Sequence, residues 1–232
     1  MKSMKRLING IISATMLFGV SISTVEAKEP LHQKEISELN TVTEDRIDEL
    51  TNAIDYEQEY LRAKAGLSDL PITKEIMDAC EASIINADGN KQILETYATV
   101  KKLGQVQRSN GLNNVYSLTV FSATKTNSGN AQKWDTTAYG TVTWIDNLGM
   151  QNEMVNAAGG WTPGYNDELT DRAVEYGAMT NDENSSAWRY PAGNSFSYDG
   201  NSNMKGWVIF LDSTVNVKGS LLRLRVTSSI LT

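Results

Sequence analysis

From about residue 110 onward, apolar and polar positions alternate with a period of two, broken at short intervals by Gly, Asn, Asp and Ser. The stretch from Thr136 to Trp161 shows this most clearly. Ala138, Gly140, Val142 and Trp144 fall on one side, and Tyr139, Thr141 and Thr143 on the other, as in a strand with one buried face. Asp146-Asn147-Leu148-Gly149 then has the chemistry of a turn: Asp and Asn bond their own backbone, and Gly tolerates a positive φ. A return strand leads to Gly159-Gly160-Trp161.

The same pattern predicts strands over 115–124, 172–179, 195–198, 206–211, 213–217 and 221–227. The run 206–211 is almost wholly apolar, as a central strand covered on both faces would be. Over 221–227, Leu222, Leu224 and Val226 face inward and Arg223 and Arg225 outward. Trp144 and Trp207, both mid-strand, are expected in the core. Short strands joined by Gly, Asn and Ser turns predict an antiparallel sandwich.

Upstream the period changes to that of a helix. Thr41-x-x-Glu44 fits a capping box, Ile47, Leu50, Ile54 and Leu61 form a stripe, and Gly66 follows Arg62 and Lys64 as a C-terminal stop. A second helix is expected after Pro71-Ile72-Thr73, with Ile76, Cys80 and Ile84 four residues apart and Asp88-Gly89 ending it. A third is expected over 91–103, with Ile93, Leu94, Tyr97 and Val100 inward. The fold class is therefore α+β by region: short N-terminal helices followed by an all-β antiparallel sandwich of about eight strands. The expected parts are a signal peptide over 1–27, a helical region with a mobile leader over 28–109, and a β-sandwich domain over 110–232.

The signal peptide rests on Lys2, Lys5 and Arg6, the apolar run Leu7 to Val20, and Val25-Glu26-Ala27 before Lys28. It predicts a secreted, extracellular protein. The apolar run is short for a membrane span and no second long one follows, so no stable span is expected. The order of a short basic signal, helices and a Gly/Thr/Asn-rich β-domain resembles small secreted proteins of Gram-positive bacteria, a likeness that carries no site residues.

Charge and composition narrow the chemistry. The formal net charge is -7, and removal of the first 27 residues leaves about -9. An acidic chain without a dense basic run disfavours nucleic acid as a partner. His32 is the only histidine and lies in the polar leader, a poor place for a catalytic imidazole or a zinc ligand. Cys80 is the only cysteine, which excludes an intramolecular disulfide, and its apolar helical position reads as a small buried hydrophobe. No catalytic residue, metal site or cofactor is assigned. Asp182-Glu183-Asn184 is oxygen-rich but lacks the alternating spacing of a calcium loop. Arg223 and Arg225, with Lys218 nearby, are expected to pair with acids across the sheet.

Trp161, Tyr165, Trp188 and Tyr190 lie in or beside Gly/Asn/Pro-rich segments. Flat rings on the loops of a sandwich can stack on the C–H faces of sugars, so these four are the candidate ligand-binding residues; the competing reading makes them core plugs. The expected function is non-catalytic recognition of a glycan or cell-surface protein. One alternative is a glycoside hydrolase using carboxylates such as Glu153, Glu175, Asp135 or Asp146. The other is a membrane-active, pore-forming toxin that inserts the hairpin; its first strand, 137–145, has the alternation this needs, and its return strand alternates poorly.

Overall fold

The computed structural model describes Glu49, Thr51, and residues 54–123 and 135–229. The predicted signal peptide, the leader with His32, and the Thr41 capping box lie outside the described residues.

Among residues 54–123 and 135–229, two short helices precede twelve strands: α1 (Tyr56–Lys64), α2 (Lys74–Ala79), β1 (Glu81–Ile85), β2 (Lys91–Leu94), β3 (Thr96–Arg108), β4 (Gly111–Ser122), β5 (Thr137–Asp146), β6 (Asn152–Thr162), β7 (Leu169–Met179), β8 (Asn184–Arg189), β9 (Ser195–Asp199), β10 (Lys205–Gly206), β11 (Val208–Val217) and β12 (Ser220–Ser229). They form a sandwich of two antiparallel sheets. The first has the order β10-β6-β5-β4-β3, with β9 also pairing β6; the second has the order β2-β1-β12-β11-β7-β8.

The predicted hairpin is β5 and β6, in the middle of the first sheet. Its turn places Leu148 and Gly149 at positive φ, and the Leu148 amide donates to Asp146 Oδ1. Val142 and Trp144 enter the core as expected, together with Leu118, Val120, Leu211, Leu222, Leu224 and Val226. The opposite side of the hairpin is not free either. Thr141 and Thr143 are fully buried, and the hydroxyls of Thr119 and Thr141 bond each other at 2.9 Å.

Segment 81–108 departs from expectation. In place of the helices expected up to Asp88 and over 91–103, it forms β1, β2 and β3. Ile76, Cys80 and Ile84 are all buried, but they belong to α2, its C-cap and β1 in turn. In β1, Ala82 and Ile84 face the core, a period of two that the spacing of four had concealed. In β3, Ala98 and Val100 do the same, while Ile93, predicted inward, is exposed. Thr96, Tyr97, Thr99 and Val100 are β-branched or aromatic and suit a pleated surface better than a helix. The change of composition near residue 110 falls on the β3–β4 turn, within one sheet, and is not a boundary between folded units. The predicted strands 206–211 and 213–217 are one strand, β11, beginning after Trp207. Trp207 sits at the break between β10 and β11 and is half-buried, not core.

α1 follows the rules of its termini. Asp55 caps it by accepting from the amides of Glu57 and Gln58, and Gly66 ends it at φ +67°. Of the predicted stripe, Ile47 and Leu50 lie outside the described residues and Ile54 precedes α1; Leu61 is exposed, and Ala63 and Glu59 are the buried residues of this helix. Glu59 reaches Lys101 on β3 at 3.1 Å, and Tyr60 packs edge-on to Phe121 of β4. The chain after α1 then runs along β3. Val100 donates its amide to Ser68 Oγ, Asp69 donates its own to the Val100 carbonyl, and Lys102 donates to Asp69 Oδ2. That backbone bond from Lys102, with help from Arg62 and against burial, holds the Asp69 carboxyl below its ordinary range.

Two positions set the stability of the sandwich. At Gly140 the sheets touch: a Cβ there would lie 2.9 Å from Leu211 Cδ2 and 3.1 Å from Val226 Cγ2. Gly140→Val should therefore lower stability by about 1–3 kcal/mol through overpacking, read as a lower urea midpoint at unchanged m-value. Asp167, in the β6–β7 loop, is almost wholly enclosed. It accepts from Thr136 Oγ1 at 2.7 Å and meets Lys218, of the β11–β12 turn, at 2.6 Å. Burial acts to raise its pKa, but the bonds from Lys218 and Thr136 outweigh it and the carboxyl lies below its ordinary value. A lowered folded pKa gives stability that is present above the unfolded value and lost as pH falls through the folded one. Asp167→Asn should flatten that acid limb and cost about 1–3 kcal/mol at neutral pH, where it strips Lys218 of its partner. Denaturant midpoints measured from pH 7 to pH 2 check both effects.

Candidate functional site

The candidate site is a groove on the outer face of the second sheet, and the register of its strands builds it. Side chains directly opposite in antiparallel strands share a face. One row across the sheet therefore reads Glu81 (β1), Arg225 (β12), Asp212 (β11), Glu175 (β7) and Trp188 (β8). The next row reads Thr227, Phe210, Gly177 and Ser186. Gly177 adds no side chain, while Phe210 and Thr227 are nearly covered. The second row forms a low floor beside the taller charged row. The far wall is the end of α2, Asp78 and Ala79, continued by Met179 and Asn184. The cleft has a volume of about 480 Å³ and its lining extends from Lys91 on β2 to Asn184 on β8.

The charged row is held in place by ion pairs. Arg223 grips both oxygens of Asp212, through Nε at 2.8 and 3.0 Å and through its terminal nitrogen. Arg225 adds a bond to Asp212 Oδ2 at 3.1 Å. The bond to Asp212 raises the Arg223 pKa further, so the guanidinium stays charged at any working pH. Lys91 meets Glu81 at 2.6 Å, and Glu175 accepts from Ser186 Oγ at 2.9 Å. The expected pairing of the two arginines with an acid across the sheet is thus present, and Lys218 pairs with Asp167 at the far end of the sandwich.

The four aromatic candidates separate. Trp161 is near the end of β6 and only 2% exposed, with its ring 5.4 Å from Phe196. It is core and cannot serve as a platform. Its place on the inner face, opposite Ala138, decides this. It begins a line of rings through Phe196, Tyr198 and Tyr176, capped by the Arg189 guanidinium over the last two. Tyr165, Trp188 and Tyr190 are open, at 88%, 54% and 77% exposure. Tyr165 is on the β6–β7 loop and Tyr190 just beyond the end of β8. Of the three, only Trp188 lies within a strand that reaches the cleft, opposite Glu175, and it stands just outside the cleft's lining.

The carboxylate candidates do not converge. Glu153 is bound to Arg108 and Lys205 on the first sheet, Asp146 caps the hairpin turn, and Asp135 lies beside Gly164. The acids that do stand side by side are Glu175 and Asp212, and Asp212 was not singled out from sequence. Both oxygens of Asp212 are bonded to guanidinium groups, so neither is free to attack a sugar. Cys80 is buried against Thr227, and burial pushes its thiol up to about 11, which keeps it protonated and unreactive near neutral pH. Asp182 and Glu183 form the β7–β8 turn, where Thr180 Oγ1 accepts from both amides. Among the described residues no group of three or more His, Cys, Asp and Glu is placed to hold a metal ion, and no helix is long and apolar enough to cross a membrane.

Comparison with protein-family models, curated proteins and solved structures finds no match.

The ion network predicts unequal effects for its two arginines. Arg223→Ala leaves the enclosed Asp212 without its two-pronged partner and should cost about 1–3 kcal/mol. Arg225→Ala removes a half-exposed partner and should cost less than about 1 kcal/mol. Urea midpoints of the two variants check the order, and equal losses would contradict it.

Proposed function

We propose that the protein is a secreted, non-catalytic recognition module that holds a glycan on the outer face of its second sheet. One observation carries the reading: a transverse groove of fixed hydrogen-bonding groups, with an exposed Trp188 just outside its lining, at the β8 end of the row that holds Glu175, Asp212 and Arg225. Stacking of an indole on a sugar face supplies apolar contact. Arg225, Glu175 and Asn184 supply donors and acceptors for hydroxyls. The pairs to Asp212 fix the guanidinium groups before a ligand arrives, so little side-chain entropy is lost on binding. Tyr190, just past the end of β8, offers a second open ring. Export agrees with the basic and apolar character of residues 1–27.

The placement of Glu175 beside Asp212 supports a second reading, a carboxylate hydrolase. The double guanidinium grip on Asp212 weighs against it.

The test is retention of the full chain on a panel of immobilised polysaccharides and cell-wall glycans. The expected result is retention of the wild type and a loss of about tenfold or more in affinity for Trp188→Ala, with an unchanged circular dichroism spectrum. Equal retention by Trp188→Ala, or no retention on any glycan, overturns the proposal. Release of reducing sugar, abolished by Glu175→Gln, would favour the hydrolase.

A further inference from the structure

The shape and charge of the groove narrow its ligand beyond the class of glycan. This inference rests on the glycan reading above. We infer that the groove takes an extended, uncharged polysaccharide chain, laid across the strands and gripped along its length rather than at an end.

Direction and length come from the topology. The lining residues start at Lys91 on β2 and end at Asn184 on β8, the two edge strands of the second sheet. The groove therefore crosses all six strands. At roughly 4.8 Å between neighbouring strands, it is about 20–24 Å long, which matches an extended oligosaccharide of four or five sugars. Since it runs from edge strand to edge strand, no strand of the sheet stands across either end. A polymer can continue past both.

Four carboxylates against three cations in the lining disfavour an anionic chain. Each cation that lines the groove is already on an acid: Lys91 on Glu81, and Arg223 and Arg225 on Asp212. Two further carboxylates, Glu175 and Asp78, complete the lining. Glu175 is bonded to a hydroxyl, Ser186 Oγ, and Asp78 is paired with the exposed Lys74, outside the lining. A uronate or sulfated sugar would meet acids without a free counter-charge. A neutral sugar meets carboxylate acceptors and guanidinium donors that suit its hydroxyls, beside the Phe210 floor and the Trp188 indole.

The experiment has two arms, both with the full chain. The first compares retention on neutral polymers (cellulose, chitin, β-1,3-glucan, mannan) with retention on anionic ones (polygalacturonate, alginate, hyaluronan). Binding to neutral polymers only is expected, and Glu175→Lys should raise retention on the anionic set. The second measures calorimetric affinity for oligosaccharides of the retained polymer. Affinity should climb by about tenfold or more between the disaccharide and the tetrasaccharide, then level off beyond five sugars. Labelling the reducing end of a hexasaccharide should leave it within about twofold. Trp188-dependent binding of anionic chains, or a plateau at one or two sugars, or loss on end-labelling would overturn this inference while leaving glycan recognition intact. Absence of binding to every polymer in both sets would overturn recognition itself.

Discussion

The structure depends on how closely its two sheets approach each other. Leu211, Leu224 and Val226 of the second sheet come down onto the β5 backbone at Gly140, where any side chain would hold the sheets apart. Trp144, Val142, Leu118 and Trp161 fill the space around that contact. With one cysteine in the chain, there is no intramolecular covalent tie between the layers. Interlocked apolar side chains keep them together, and native packing density is what makes such a contact specific. Because the inner faces satisfy one another, the outer face of the second sheet is left to polar residues.

Antiparallel pairing turns those polar residues into a site. Glu81, Arg225, Asp212, Glu175 and Trp188 are far apart in sequence, yet the registers of five strands bring them into one line. The line is rigid for two reasons. Its backbone lies in continuous ladders, and its charges are locked in pairs around Asp212. Rows of this kind give a sheet surface chemical direction without any loop contributing a catalytic group.

The sequence showed the parts where one strand carries its own evidence. β5 and β12 alternate over ten or so residues, and Ala138, Val142, Trp144, Leu222, Leu224 and Val226, named from the pattern, are the residues that face inward. Over 81–103 the pattern is ambiguous, because spacings of four satisfy periods of two and of 3.6 alike, and tertiary pairing decides between them. β8, only six residues long and with no apolar alternation beyond Ala187 and Trp188, was missed, as was the two-residue β10. The aromatic candidates show the limit for a site. Trp161 and Trp188 have similar neighbours in sequence, and only the face and strand each occupies separates a core plug from an open ring. Asp212 was missed for the same reason: its importance comes from β12, beside it in space and eleven residues on in the chain.

The short segment after α1 has a consequence for how molecules of this protein meet. β3 is the longest strand of the first sheet and stands at its edge, where bare amides and carbonyls would invite another chain. Ser68 and Asp69 occupy that edge, taking the amides of Val100 and Lys102 and the Val100 carbonyl. The other borders are short pieces: β2 with four residues, β8 with six, and β9 and β10 dividing the open side of β6 between them. The two sheets thus offer little uninterrupted backbone for a neighbouring copy to extend, a defence against strand-to-strand aggregation built from the lengths of the border strands and one aspartate.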